Sequence, residues 1–150
     1  GKLYGLGHAV YTQSDHGAYE LKNELLDYLK SKENIEVIDC GVNSSDSVDY
    51  PDCADTVVET ILNKNADLGV LCCGTGIGIS IRANRHKGIR AALVYDQFTA
   101  EMAKAHNNAN ILCFGGRTTS VSDAKSYLDT WIDTSFEGGR HQRRLDKLDA

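Results

Sequence analysis

The sequence predicts an α/β protein built on a five-stranded parallel sheet with helices on both faces. Three observations predict it. Short β-type runs alternate with longer helical patterns along the whole chain. The run "LGVLCC" at residues 68–73 is apolar on both of its faces, as a central parallel strand must be. The 150 residues hold one proline and no linker or low-complexity tract, so they fit a single domain with its own core.

The elements follow in order. "AVYTQ", Ala9 to Gln13, is rich in β-formers and is predicted as the first strand. "YELKNELLDYLKSK" places Leu21, Leu25, Tyr28 and Leu29 on one helical face. "IEVIDC", Ile35 to Cys40, is the second strand. A polar loop then leads to Pro51, suited to a first helical turn, in a helix with Ala54, Val57, Val58, Ile61 and Leu62 at helical spacing. After "LGVLCC", "GISIRANRH" is a helix, "IRAALVY" the fourth strand, and "QFTAEMAKAHNN" a helix. "ANILCFG" is the fifth strand. "VSDAKSYLDTWIDT" turns Val121, Ala124, Leu128 and Trp131 inward, and "GGRHQRRLDKLDA" closes the chain with a short helix after a glycine break.

Composition narrows the function. Sixteen basic residues against twenty-one acidic leave a net charge of −5, which argues against nucleic acid as a partner. The five cysteines show no CxxC spacing and read as reduced thiols of a cytoplasmic protein. No apolar run approaches the roughly 18 residues of a spanning helix, and no leader pattern opens the chain. The histidines are scattered without HxxxH spacing, so no metal site is expected.

Ligands of parallel sheets bind beyond the carboxyl ends of the strands. The residues predicted there are Asp15 and His16, positions 41–50, Cys73 to Gly78, Tyr95 and Asp96, and Gly115 to Arg117. Gly74, Gly76 and Gly78 let ligand atoms approach backbone N–H groups at a helix start. A dinucleotide fingerprint would need glycine where Ile79 stands, and there is no Walker lysine. The plain alternative is a tight strand-to-helix turn with no ligand. Cys73 is last on its strand and precedes a helix N-terminus, a setting that favours thiolate. It could attack an acyl group, or remove a carbon proton while the loop holds the resulting oxyanion. Cys72, Cys40 and Cys113 read as packing residues, and His86 as structural. Arg140 and Arg144 lie one helical turn apart, and His141, Leu145 and Leu148 form a neighbouring stripe.

Six co-linear motifs, "SDHGAYELK", "VDYPD", "CGTGIGISI", "KGIRAAL", "AHNNANIL" and "FEGGRHQRR", resemble ribose-5-phosphate isomerase type B, of the family that also contains galactose-6-phosphate isomerase subunits. The resemblance covers roughly Ser14 to Lys147. It implies a three-layer α/β/α Rossmann-like sandwich without nucleotide, no metal or other cofactor, and a homodimer or homotetramer with sites at the subunit interface. It implies interconversion of ribose 5-phosphate and ribulose 5-phosphate. It assigns Cys73 the proton transfer between C1 and C2, and Gly74, Gly76 and Gly78 the anion hole, with Thr75 beside the sugar oxygens. His106 with Asp15 matches the groups that open the ring. His16, Arg117, Arg140 and Arg144 match the phosphate set, and Tyr50 and Asn107 line the sugar pocket. A six-carbon sugar phosphate is the alternative substrate, and a nucleotide-binding module the alternative class. The 139–150 helix is expected to dock on a partner subunit. Residues 1–8 precede the family's usual start and are read as an N-terminal extension, native or added.

Overall fold

The computed structural model describes residues 2–8, 17–33, 35–40 and 49–150, the first of these as backbone only. Five strands, β1 (Lys2–His8), β2 (Ile35–Asp39), β3 (Leu68–Cys73), β4 (Ala91–Leu93) and β5 (Ile111–Gly115), form one all-parallel sheet of order β2-β1-β3-β5-β4. Six helices accompany it: α1 (Gly17–Lys30), α2 (Tyr50–Leu62), α3 (Ile77–Ala83), α4 (Gln97–Ala105), α5 (Val121–Asp133) and α6 (Arg140–Leu148).

The first strand corrects the sequence reading. Residues 2–8, where no strand was expected, form β1 inside the sheet, paired with β2 on one side and β3 on the other. The expected strand at Ala9 to Gln13 lies outside the described residues. The segment "KLYGLGH" carries two glycines, which weaken a strand signal. A strand paired on both sides is held by backbone bonds, which glycine supplies as well as valine does. Gly5 stands opposite Gly69 across the β1–β3 ladder.

Alternation along β3 divides the core. Leu68, Val70 and Cys72 face α1 and α5, packing with Leu21, Leu25, Leu29, Leu128 and Trp131. Leu71 and Cys73 face α2 and α3, packing with Val57, Val58, Ile79 and Ala83. All six β3 residues are buried. Gly69 brings α2 close: a Cβ there would lie 2.7 Å from Val57 Cγ1. Trp131 is fully buried, and its indole N–H donates to the Ala109 carbonyl at 3.2 Å.

The helix starts follow local rules. Pro51 occupies the first turn of α2. Asp96 and Thr99 form a reciprocal capping box on α4, and Ser120 caps α5. Leu62, expected on the packed face of α2, is instead exposed, because Ile61 takes the position against Gly69. On α6, His141 and Leu145 are buried on the chain itself while Leu148 is exposed. The stripe that suggested docking on a neighbour is therefore covered within the monomer for two of its three residues. Among the described residues, no helix is long and apolar enough to cross a membrane.

Candidate functional site

The chain runs outward from β1 to β2 and then returns across β1 to β3. That reversal is the switch point where parallel sheets open a crevice beyond their carboxyl ends. Cys73 ends β3 at this edge, 1 % exposed. The Gly76 backbone N–H donates to its Sγ at 3.2 Å. Gly76 has φ +79°, a conformation that favours glycine, and a Cβ there would meet Leu93 Cδ1 at 2.6 Å. The loop thus owes its shape to glycine, and that shape turns an amide toward sulfur.

The loop is anchored on both sides. The Gly116 N–H donates to the Cys73 carbonyl at 2.8 Å, and the Arg117 N–H to the Gly74 carbonyl at 3.0 Å. These bonds bring the carboxyl ends of β3 and β5 together. Tyr50, at the start of α2, lies against Gly78, where a Cβ would be 2.7 Å from the ring. Thr75 is exposed, and its Oγ1 accepts from the Ile77 N–H at 3.3 Å. Ile79 is fully buried in the core, so the position at which a dinucleotide fingerprint needs glycine is filled by a packing residue.

The thiols differ sharply in setting. Cys72 packs on the opposite sheet face from Cys73, as strand alternation predicts, and burial drives its pKa well up. Burial likewise raises Cys113 well above the ordinary thiol range. Cys53, on α2, is pushed up to about 11 by burial, then by Asp52 and Cys73. Cys73 alone of the three β3 and β5 cysteines receives a backbone N–H at its sulfur in the described contacts.

His106 caps the C-terminus of α4, 37 % exposed at its side chain. Its ring stacks on that of His141 with centroids 4.0 Å apart and planes 14° from parallel. Glu137 Oε1 stands 3.6 Å from His106 Nε2 and 3.4 Å from His141 Nε2. Burial, then the neighbouring His106 and Arg140, hold the His141 pKa below the ordinary imidazole value. Arg144 acts on His141 in the same direction, so Arg140 and Arg144 stand near the histidine pair, exposed to solvent.

Asn107 is exposed, and its carbonyl accepts from Arg90 Nε at 3.1 Å. Arg90 also donates to the Asn108 carbonyl and reaches Asp149 at 2.9 Å, tying the α4–β5 turn to the end of α6. Asn108 has φ 44°, a turn conformation that asparagine tolerates. A cavity of about 340 Å³ opens beside this clamp, lined by Asn84, Arg90, Asn107 and Leu148 among others. His86 is structural: its Nε2 lies 2.8 Å from Asp55, which also takes both donors of Arg82.

The structure therefore gathers Cys73, Thr75, Gly74, Gly76, Gly78, Tyr50 and Arg117 around one loop. It places His106, Asn107, Arg140 and Arg144 along the α4–α6 side. Asp15 and His16 lie outside the described residues. Sequence reasoning missed Arg90 and Glu137. Arg90 directly precedes β4, with nothing in the sequence to distinguish it from a solvated cation. Glu137 is one acid among twenty-one in the chain, and only the fold brings it to two imidazoles.

Known proteins share this fold and sequence. A family model described as Ribose/Galactose Isomerase matches residues 10–148. The ribose-5-phosphate isomerase B of Escherichia coli is 40 % identical over 136 residues, covering 91 % of each chain. The crystal structure of a ribose 5-phosphate isomerase from Thermotoga maritima superposes with a TM-score of 0.90 at 47 % identity, over 99 % of this chain and 97 % of that one. Ribose-5-phosphate isomerase B of Clostridium thermocellum matches with the same TM-score at 44 % identity, over 98 % and 95 %. With the match running through the loop, the histidine turn and the arginine helix alike, the chain belongs to the ribose/galactose isomerase family.

Proposed function

We propose that the protein is an aldose–ketose isomerase that interconverts ribose 5-phosphate and ribulose 5-phosphate, in the pentose phosphate pathway and in the cytoplasm. The observation that carries this reading is the buried Cys73 sulfur, with the Gly76 N–H on it, at the carboxyl edge of the central strand. Family membership supports the substrate class.

The steps follow from what each group can do. His106, with Asp15, moves a proton from the anomeric hydroxyl to the ring oxygen, which opens the furanose. The Cys73 thiolate then takes the proton from C2. The electrons of that C–H bond form the C1–C2 double bond, and the carbonyl pair moves onto O1. The backbone N–H groups of the Gly74–Gly78 loop stabilise the enediolate charge, with Thr75 beside the sugar oxygens. The thiol returns its proton to C1 while O1 gains a proton and O2 loses one, leaving the ketose. This chemistry requires an acid/base and charge stabilisation, and no nucleotide or metal cofactor takes part in it. Tyr50 and Asn107 line the sugar. Arg117, Arg140 and Arg144, with His16, hold the phosphate.

The working form is a homodimer or homotetramer with sites at subunit interfaces. Ile77 and Ile81, one turn apart on α3 and about half exposed beside the loop, support this reading, because a second copy would cover them. Six-carbon sugar phosphates remain the second reading, favoured by the breadth of the matching family. The test is a coupled assay of ribose 5-phosphate conversion beside allose and galactose 6-phosphates. The expected result is a higher kcat/KM for the pentose. No turnover of any sugar phosphate, with tight calorimetric binding of NAD or ATP, would overturn the proposal in favour of a binding module.

A further inference from the structure

The His106, Glu137 and His141 cluster holds an unexplained geometry. Its carboxylate–imidazole separations of 3.6 and 3.4 Å are too long for good hydrogen bonds. They match the edges of a metal tetrahedron instead. With nitrogen and oxygen ligands about 2.0–2.1 Å from a zinc ion, neighbouring donors sit about 3.3 Å apart. All three donor atoms lie within 4.8 Å of one another. The near-parallel rings present their Nε2 atoms to the same carboxylate oxygen, and the His106 side chain is 37 % exposed, so binding requires that ring to turn from its stack on His141.

The cluster is also held in place. The Glu137 N–H donates to the Ala105 carbonyl at 2.9 Å, which fixes the acid beside the end of α4. His141 is buried on α6, and Glu137 stands in the segment that leads into that helix. Glu137 is itself 54 % exposed, so the common point faces solvent and leaves a fourth position for water.

We propose that His106, Glu137 and His141 form a binding site for a borderline-soft divalent cation, Zn²⁺ in the first instance, that blocks the enzyme by occupying the His106 lone pair. Two imidazoles and a carboxylate are a zinc donor set. The site is inhibitory: an imidazole bound to metal cannot shuttle the ring-opening proton. This consequence rests on the role proposed above for His106, whereas the binding itself does not. Arg140 and Arg144 stand near His141 and oppose a cation, so the expected affinity is micromolar rather than nanomolar.

The test is calorimetric titration of the full chain with zinc chloride, with Co²⁺ as a spectroscopic probe of the donors. The expected result is one ion per chain and the visible absorption of a tetrahedral nitrogen/oxygen site. Glu137→Gln, at an exposed position where folding is safe, and His141→Asn should each weaken binding at least tenfold. Zinc should suppress ribose 5-phosphate turnover of the unmodified protein, with chelator restoring it. No bound ion, an intense thiolate-to-cobalt band, or unchanged affinity in Glu137→Gln would overturn the site. Full turnover with zinc bound would overturn the block. Failure of the isomerase reading would show separately, as no turnover in zinc-free buffer.

Discussion

The two halves of the candidate site are made of different material. The Cys73–Gly78 loop is built from backbone: amides and carbonyls bonded across β3 and β5, buried, and shaped by a glycine at φ +79°. The α4–α6 side is built from side chains that stand on helix ends, with His106 half-exposed and Arg140 and Arg144 in solvent. A backbone site is rigid because moving it breaks the sheet. A side-chain site on helix ends can be retuned by single substitutions, and it can collect groups such as Glu137 that serve a different ligand.

The sharpest way to break this comparison is at the adjacent cysteines. Cys73→Ala should lower kcat/KM about a thousandfold, within the range for losing an acid/base group. Cys72→Ala, on the opposite sheet face, should leave turnover within a few-fold; equal losses in both would show that the thiol assignment is wrong. Next comes the contact of α1 with the edge strand β2. Lys22 is fully buried and its ammonium lies 3.0 Å from both oxygens of Asp39 at the end of β2. Asp39→Ala strands that charge and should cost about 3–5 kcal/mol in urea unfolding, while Lys22→Met should cost far less.

On the backbone half, Gly78→Ala forces a Cβ into the Tyr50 ring. It should raise KM for the sugar phosphate and destabilise by about 1–3 kcal/mol. On the side-chain half, Arg144→Ala should raise KM roughly tenfold to a hundredfold with the melting temperature unchanged, as for one lost charged hydrogen bond. A large loss of stability there would show that α6 is structural rather than a binding arm.

The smallest effect is at Asp55. The Arg82 hydrogen bond, then that of His86, holds its pKa below the ordinary value. A depressed carboxyl contributes stability that is present above its unfolded pKa, about 3.9, and lost as pH falls through the folded value. The stability gap between the unmodified protein and Asp55→Asn should therefore be present at pH 5 and shrink below about pH 4, as urea midpoints would show.

Legibility followed the same division. The helices with strong apolar periodicity and the buried strands β3 and β5 stand where the pattern puts them, because burying a face repeats a signal every turn or every second residue. The strand at residues 2–8 was not foreseen because its glycines leave no such signal, and pairing on both sides makes none necessary. Cys73 was separable from Cys72 by alternation alone. The stacking of His106 on His141 was not, since the two are distant in sequence and share no periodic face.

The sequence by itself determined the parallel α/β architecture, the loop after β3 and the opposite facing of the two neighbouring thiols. Each of these depends on local spacing, which backbone geometry converts directly into direction. Only the tertiary structure decided that β1 is residues 2–8, that the Gly76 amide meets the Cys73 sulfur, and that Glu137 stands beside two stacked imidazoles. Those facts depend on which distant segments the folded sheet and the α6 arm bring within a few ångströms, and no local pattern encodes such a meeting.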